Sequence, residues 1–271
     1  MPELPEVETV RRSLQPAIQG RVLTQISVLE PRLRFPVRAE QFEPYFGRRL
    51  KKIRRHGKYL VMLFQDSESA IVIHLGMTGR ILIAQPRETK WVHFKFLFET
   101  TEVAYIDPRR FGFIIPGKLE ALKKNILPGG MDALSPKMNG EYLFVNLAHR
   151  KTSIKDALMN QAVLAGLGNI YASEILSDAH IHPASQCFNL DLDAYKSIVQ
   201  SMTKILKIAI RNKGTSMSDF YYGYGQQGKY QNLFRVYDRQ GLPCPDCNTL
   251  IEKMIQSNRS TYYCPLCQKI P

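Results

Sequence analysis

Four cysteines near the C-terminus form two close pairs, Cys244-Pro-Asp-Cys247 and Cys264-Pro-Leu-Cys267, with sixteen residues between them. Four thiolates at this spacing close a tetrahedral zinc site, and a pair of redox dithiols is the competing reading. With every corner filled by protein, the one ion is structural. Between the pairs lies a polar tip, Ser257-Asn258-Arg259-Ser260-Thr261, so the stapled hairpin suits a nucleic-acid finger or a plain folding module. The other end of the chain carries a different chemistry. Met1-Pro-Glu-Leu-Pro-Glu-Val-Glu8 places three carboxylates in eight residues, in a chain with 37 Lys+Arg against 24 Asp+Glu. Pro5, Glu6 and Glu8 suit the first turn of a helix, where proline is tolerated and carboxylates complement the positive end. Pro2-Glu3 lies ahead of that turn, which leaves a catalytic N-terminus as the second reading.

Three further stretches pair glycine or apolar residues with cations. Leu164-Ala-Gly-Leu-Gly-Asn169-Ile-Tyr171 sits between two helical segments. Asn169 is placed to cap the helix beginning at Ile170, glycine permits close approach of a phosphate, and helix N-termini attract anions. A tight helix–helix turn needs glycine as well, and Lys155 on the preceding helix could add charge. Arg54-Arg-His-Gly-Lys58-Tyr59 is a basic edge entering a strand; most such runs are solvated faces. His74-Leu-Gly-Met77 and Asp107-Pro-Arg109-Arg110-Phe111-Gly112 set cations beside a bulky apolar side chain, as a duplex wedge requires, although a loop Met or Phe also serves as a core plug.

The elements that must hold these residues fall into two textures. Val7, Val10, Leu14 and Ile18 recur at helical intervals. Short runs rich in branched and aromatic residues follow at 22–29, 59–64, 70–74, 80–84, 92–98 and 103–106, predicting a β-sandwich or barrel. Pro128-Gly-Gly130, Pro136 and Asn139-Gly140 mark a linker. Beyond it the period is helical over 141–150, 154–164, 170–179 and 192–211, and the tail from about Leu233 is strand-like around the cysteines.

Net charge bounds the partner. At +13 in 271 residues, with a pI near 9.5, the chain calls for a polyanion: nucleic acid first, an anionic membrane surface second. No segment approaches the ~18–20 apolar residues that span a bilayer, and the acidic start contains no signal-peptide core. The cysteine distribution suits a reducing compartment, so the expected location is the cytoplasm.

Taken together, in this order, Pro-Glu-Leu-Pro-Glu-Val-Glu, His-Leu-Gly-Met-Thr-Gly, Asp-Pro-Arg-Arg-Phe-Gly, Gly-Leu-Gly-Asn-Ile-Tyr-Ala-Ser-Glu and the four-cysteine tail closely resemble the bacterial formamidopyrimidine-DNA glycosylases, which repair 8-oxoguanine. The resemblance runs from Pro2 to Cys267. It implies an α+β fold: a catalytic β-sandwich flanked by helices over 1–127, a linker over 128–140, a helix–two-turn–helix DNA-binding domain over 141–232, and a β-hairpin zinc finger over 233–271. It implies damaged double-stranded DNA as partner, one structural zinc on Cys244, Cys247, Cys264 and Cys267, and a monomer. Pro2, freed by loss of Met1, is then the nucleophile. An α-amino group titrates near 7.7–8.0, so an appreciable fraction is neutral at working pH, whereas a lysine near 10.4 needs a large shift. By the same resemblance Glu3 is the acid/base partner, Glu6 supports the site, and Lys58 contacts phosphate or lesion. His74, Asn169 and Arg259 match phosphate-binding positions, with Lys155 and Tyr237 as further candidates. Met77, Arg109 and Phe111 match the trio filling the gap left by the extruded base, and 214–230 the loop that closes over it.

Three stretches depart from that pattern. Gly130-Met-Asp-Ala133 stands where the family commonly has Gly-Pro-Glu-Pro, and Lys90-Trp-Val-His93 replaces Lys-His-Asp-His. The lesion loop carries Tyr221, Tyr222, Tyr224 and Tyr230, which bears on lesion preference. An endonuclease VIII-like enzyme for oxidised pyrimidines is the nearest rival, but that branch opens Pro-Glu-Gly-Pro-Glu, with glycine where this chain has Leu4. A non-catalytic damage binder is the rival from another class, opposed by intact Pro2, Glu3 and Lys58.

Overall fold

The computed structural model describes residues 2–83, 90–216 and 221–270. The end of the expected strand at Ala84 and residues 217–220 of the expected lesion loop lie outside them. The chain divides into two compact units, residues 1–127 with 212–229, and 128–211 with 230–271.

The first unit is a β-sandwich. Helix α1 (Leu4–Ile18) leads into β1 (Leu23–Val28), β2 (Leu50–His56), β3 (Tyr59–Phe64), β4 (Ser69–His74), β5 (Arg80–Ile83), β6 (Val92–Phe98), β7 (Thr101–Ile106), β8 (Phe113–Lys118) and α2 (Leu119–Asn125). One antiparallel sheet has the order β1-β6-β7-β5 and the other β2-β3-β4-β8. The two-residue period of a strand sorts side chains between faces. Leu60, Met62 and Phe64 of β3 and Phe94, Phe96 and Phe98 of β6 fill the shared core, joined by Val7, Val10, Leu14 and Ile18 of α1. Val61 and Val72 face the other way, onto Leu122 of α2.

Two strands were hidden in the sequence. In β2, a bulge between Leu50 and Lys52 breaks the alternation, so Leu50 and Ile53 are the buried apolar pair in a strand otherwise lysine- and arginine-rich. Pro116-Gly117 disguises β8, and proline is tolerated there because β8 is an edge strand.

The second unit contains β9 (Met131–Asp132), α3 (Gly140–Leu147), α4 (Ile154–Leu158), β10 (Leu164–Ala165), α5 (Asn169–Asp178), α6 (Leu192–Arg211), β11 (Glu252–Gln256) and β12 (Arg259–Tyr263). The helix expected over 154–164 ends at Leu158. The chain then turns so that β10 pairs in parallel with β9, the segment expected as linker. Gly130 permits this approach: a Cβ there would lie 2.5 Å from the Val163 carbonyl carbon. Residues 212–229, expected with the helices, pack instead with the sandwich. Lys229 N–H donates to Asn212 C=O and closes the loop, and Ile83 N–H donates to Gly223 C=O and stitches it to β5.

Glu8, expected only to complement the helix dipole, holds α1 to the sandwich. Its carboxylate accepts from Arg11 and Arg12 on its own helix and from Arg55 of β2. Burial pushes its carboxyl up, but the hydrogen bonds from Arg11 and Arg12 and the charges of Arg11 and Arg55 outweigh this and hold it at about 2. A carboxyl depressed in the folded state stabilises above its unfolded pKa, and that stabilisation is lost as pH falls towards the folded value. Urea midpoints should therefore fall as pH drops from 4.5 to 2. Glu8→Gln should be less stable at pH 7 and flatter over that window; an unchanged acid limb would remove Glu8 from this role.

Candidate active site

The start of α1 is a reciprocal capping box of two carboxylates, Glu3 and Glu6. Pro2 and Glu3 precede the helix and both are buried, against the usual exposure of chain termini. Pro5 lies in the first turn, where its missing N–H leaves no intrahelical bond unmade. Glu6 Oε2 accepts the Glu3 N–H at 2.8 Å, while its Oε1 accepts Thr215 N–H at 2.7 Å and Thr215 Oγ1 at 3.0 Å. Gly214 has φ +73°, and a Cβ there would sit 2.6 Å from Glu6 Oε1. Glycine thus provides both the left-handed turn and the clearance.

Lys58 occupies the two-residue turn between β2 and β3, where Gly57 supplies the positive φ of +55°. Despite its place in a turn it is buried. Strand register sets its neighbourhood: Tyr59 of β3 pairs with His74 of β4, and His74 with Phe113 of β8. The His74 ring lies 5.2 Å from Phe113, nearly parallel, and 4.7 Å from Tyr59. Burial first, then the charges of Lys58 and Arg34, lower the His74 pKa to about 4. The ring is neutral at physiological pH. Its Nδ1 accepts the Gly76 N–H at 3.1 Å, so the proton resides on Nε2, an uncharged donor suited to a phosphate oxygen.

The loops carrying Met77 and Phe111 are docked backbone to backbone. Gly76 has φ +59°, and a Cβ there would meet Gly112 N and Phe111 C at 2.4 Å. Buried Asp107 ties the pair: Oδ1 accepts Thr78 Oγ1 at 2.6 Å and Arg109 N–H at 3.3 Å, and Oδ2 accepts Gly112 N–H at 2.8 Å. His93, the residue of 90–93 that ends both this stretch and the family's, binds the Asp107 carbonyl through Nε2 at 2.9 Å. On this frame Met77 and Phe111 are 41% and 44% exposed, far from the behaviour of core plugs. The exposed Arg109 guanidinium lies 4.8 Å from the Phe111 ring centre.

In the second unit, Asn169 does not cap α5. Gly168 holds the cap position, and the Asn169 side chain is engaged by two other partners. Its Oδ1 accepts Lys155 Nζ at 2.6 Å and its Nδ2 donates to Ser260 C=O at 2.9 Å. Lys155 is fully buried and also donates to Thr261 Oγ1 at 2.6 Å, so its charge orients Asn169 and the hairpin. The turn joining β11 to β12 is Ser257-Asn258, both at positive φ, with Arg259 exposed just beyond. Ser257 Oγ donates to Asp156 Oδ2 at 2.8 Å and anchors this tip beside α4. Tyr237 packs edge-on against Phe234 and Tyr262.

The four cysteine sulfurs lie within 4.8 Å of one another, with Cys244–Cys267 at 4.0 Å and Cys247–Cys264 at 3.4 Å. Zinc–sulfur bonds of about 2.3 Å in a tetrahedron put sulfurs about 3.8 Å apart, so the site fits one zinc. Sequence reasoning missed Glu174, a fully buried carboxylate on α5 that accepts the N–H groups of Arg235, Val236 and Tyr237 at 2.8–3.0 Å. Burial raises its pKa, and the three backbone bonds oppose that rise. A carboxylate within the apolar run Ile170–Leu176 was the available signal.

Residues 1–114 match the family described as "Formamidopyrimidine-DNA glycosylase N-terminal domain", residues 130–221 its "H2TH domain", and residues 241–270 the "Zinc finger found in FPG and IleRS". The chain is 38% identical over 278 residues to the formamidopyrimidine-DNA glycosylase of Paraburkholderia xenovorans, covering 99% of this chain and 100% of that one. It is 39% identical over 273 residues to that of Methylococcus capsulatus, with the same coverage. Among solved structures, the MutM (Fpg) protein of Thermus thermophilus superposes with a TM-score of 0.88 at 31% identity, over 100% of both chains. Lactococcus lactis Fpg in complex with abasic-site DNA gives 0.89 at 32% identity, over 99% of this chain and 100% of that one.

The His74 environment has a measurable consequence. A histidine whose pKa is lowered by folding leaves stability unaffected above about pH 6.5; as pH falls from there to about 4 the unfolded chain gains the proton and the folded one does not, so stability drops. His74 ring resonances should stay constant from pH 8 to 5.5 and titrate near 4, and His74→Gln should lessen the loss of stability over that interval. A titration midpoint near 6.5 would remove the burial account.

Proposed function

The chain belongs to the formamidopyrimidine-DNA glycosylase family, and from that premise we propose that it excises oxidised purines, 8-oxoguanine and formamidopyrimidines, from duplex DNA and then cleaves the strand as an abasic-site lyase. The observation that carries the assignment to particular residues is the buried start of α1. Pro2 sits immediately before a helix whose first turn is fixed by Glu6, so a terminal amine, ordinarily mobile, is held at a defined position. With Met1 removed, Pro2 presents a secondary amine. Its lone pair bonds C1′ of the lesion nucleotide while the C1′–base bond breaks, the base leaving with that electron pair and taking up a proton. Glu3 protonates the sugar ring oxygen as the ring opens, and the product is an iminium between Pro2 and C1′. The iminium acidifies the C2′ proton. Its loss expels the 3′ phosphate, and loss of the C4′ proton then expels the 5′ phosphate.

Lys58 is assigned to the same reaction as a contact to phosphate or lesion, and Glu6 as the residue that positions Glu3. His74, Asn169 and Arg259 are assigned to backbone phosphates, where contacts fix register without reading sequence. Lys155 is assigned to positioning, because a fully buried ammonium already donating to Asn169 and Thr261 acts on DNA through them. Met77 and Phe111 are assigned to the space vacated by the extruded base and Arg109 to the orphaned cytosine. No helix among the described residues is long and apolar enough to cross a membrane. The protein is proposed to act on DNA as a monomer in the cytoplasm.

Borohydride should trap a covalent adduct between Pro2 and DNA bearing 8-oxoguanine opposite cytosine, since an iminium is reducible. Pro2→Gly, or an N-terminal extension that is retained, should sharply reduce trapping. Full trapping and cleavage by an N-terminally blocked protein would move the nucleophile elsewhere, with Lys58 next to be tested.

Extruding a base costs a few kcal/mol, which the wedge offsets by refilling the stack. Met77→Ala and Phe111→Ala should therefore slow 8-oxoguanine release far more than cleavage at a preformed abasic site. Arg109→Ala should also flatten the preference for cytosine opposite the lesion, because its guanidinium supplies the hydrogen bonds that cytosine accepts. Equal impairment on both substrates, with opposite-base preference unchanged, would leave these residues a merely structural role.

A further inference from the structure

Beside the four-cysteine centre lie two further side chains with metal-binding atoms. His180, Asp246 and Cys267 bring a ring nitrogen, a carboxylate oxygen and the Cys267 sulfur within 4.8 Å of one another. The position of His180 is set by the end of α5. His180 N–H donates to Ser177 C=O and Ile181 N–H to Leu176 C=O, the two bonds of a Schellman motif. His180 occupies its left-handed position, with φ +55°. Glycine is the usual occupant there, because a Cβ is disfavoured in that region. Here an imidazole stands instead.

The backbone next to this imidazole is locked to the second cysteine knuckle. Gln268 is buried, accepts Cys264 N–H through Oε1 at 2.9 Å, and donates through Nε2 to Ile181 C=O at 2.8 Å. The same side chain thus grips a zinc-ligand backbone and the residue following His180. Asp246, between the cysteines of the first knuckle, is paired with Arg235 and so already has a counter-charge. That pairing disfavours a second divalent ion on this trio and leaves the imidazole as its available donor. Cys267 is partly exposed, unlike buried Cys244 and Cys264, so it is one of the two ligands most open to loss.

We propose that His180 is a reserve zinc ligand: when the Cys267 thiolate is removed or blocked, its imidazole takes the fourth position and the finger keeps its metal. Imidazole and thiolate both bind tetrahedral zinc, at about 2.0–2.1 and 2.3 Å, and three-cysteine, one-histidine sites are an ordinary structural class. The His180 ring offers a nitrogen within 4.8 Å of the sulfur it would replace.

The test uses the full chain and cobalt(II) as probe. Cys267→Ala should bind one cobalt with a tetrahedral spectrum of reduced thiolate-to-metal intensity. Adding His180→Ala should weaken that binding by tenfold or more. Identical affinity and spectra for the single and double variants would overturn the proposal. A second measurement does not depend on how Cys267→Ala folds: zinc-loaded protein is treated with limiting alkylating reagent, and released zinc is followed with a chromogenic chelator. Zinc should leave His180→Ala and His180→Gly several-fold faster than the unsubstituted protein, even though glycine relieves the backbone conformation at this position. Equal release rates in all three would also overturn the proposal.

Discussion

Glu6 divides one buried carboxylate between two parts of the chain that are 209 residues apart in sequence, and the arrangement of the first unit depends on that division. One oxygen holds the Glu3 N–H, fixing the residue next to Pro2. The other holds Thr215, fixing the start of the segment that returns to the sandwich at Gly223. A carboxylate is suited to this because it accepts several hydrogen bonds at once and, when buried, must make them. The same group therefore specifies where α1 begins and where the 212–229 segment attaches. Neither end can shift without leaving Glu6 short of a donor. Gly214 is the sequence's accommodation to this, since any larger residue would meet the carboxylate.

The chain also has to arrange 37 cationic side chains without self-repulsion. It separates them by burial. Lys58 and Lys155 are buried, and the ammonium of Lys155 donates to two neighbouring oxygen atoms. Arg11, Arg12 and Arg55 converge on one carboxylate, so three charges are anchored by Glu8. Arg109 and Arg259, by contrast, stand exposed, the first in a loop whose backbone is fixed by Asp107 and the second just beyond a turn anchored by the Ser257–Asp156 bond. Exposed cations on rigid supports attract a polyanion and fix its register, whereas buried ones shape the support. His74 belongs to the first group in place and to neither in charge, because its stacked, cation-flanked ring stays neutral.

Much of this was legible in the sequence. The helical period of α1, the alternation of β6 and the cysteine spacing all emerge where the backbone requires them. The losses have identifiable causes. A bulge broke the period of β2, an edge proline masked β8, and a parallel pairing of two-residue strands ended α4 early. Asn169 carried the signature of a helix cap, but a buried lysine is a stronger partner than a backbone amide, so tertiary chemistry overrode local preference. The partners of Glu8 and Glu174 went unread for a different reason. They come from Arg55 and from residues 235–237, long-range neighbours that no local pattern encodes.

The finger shows why such polar anchors are needed. Its apolar core consists of Val236, Ile251 and Tyr262 around two buried cysteines, too little to hold an orientation by hydrophobic contact alone. Hydrophobic contact is also non-directional, whereas hydrogen bonds to charged groups are short and fix angles. Three separate anchors act on the finger. Glu174 grips the backbone where the chain enters it, Lys155 grips Thr261 on β12, and Asp156 grips the turn at Ser257. Two of these are fully buried polar groups, and a buried polar group left without hydrogen-bond partners is strongly destabilising. Their cost is therefore recovered only in the one geometry that pairs them both. The hairpin is directed by that requirement, and with it the exposed Arg259 at its tip.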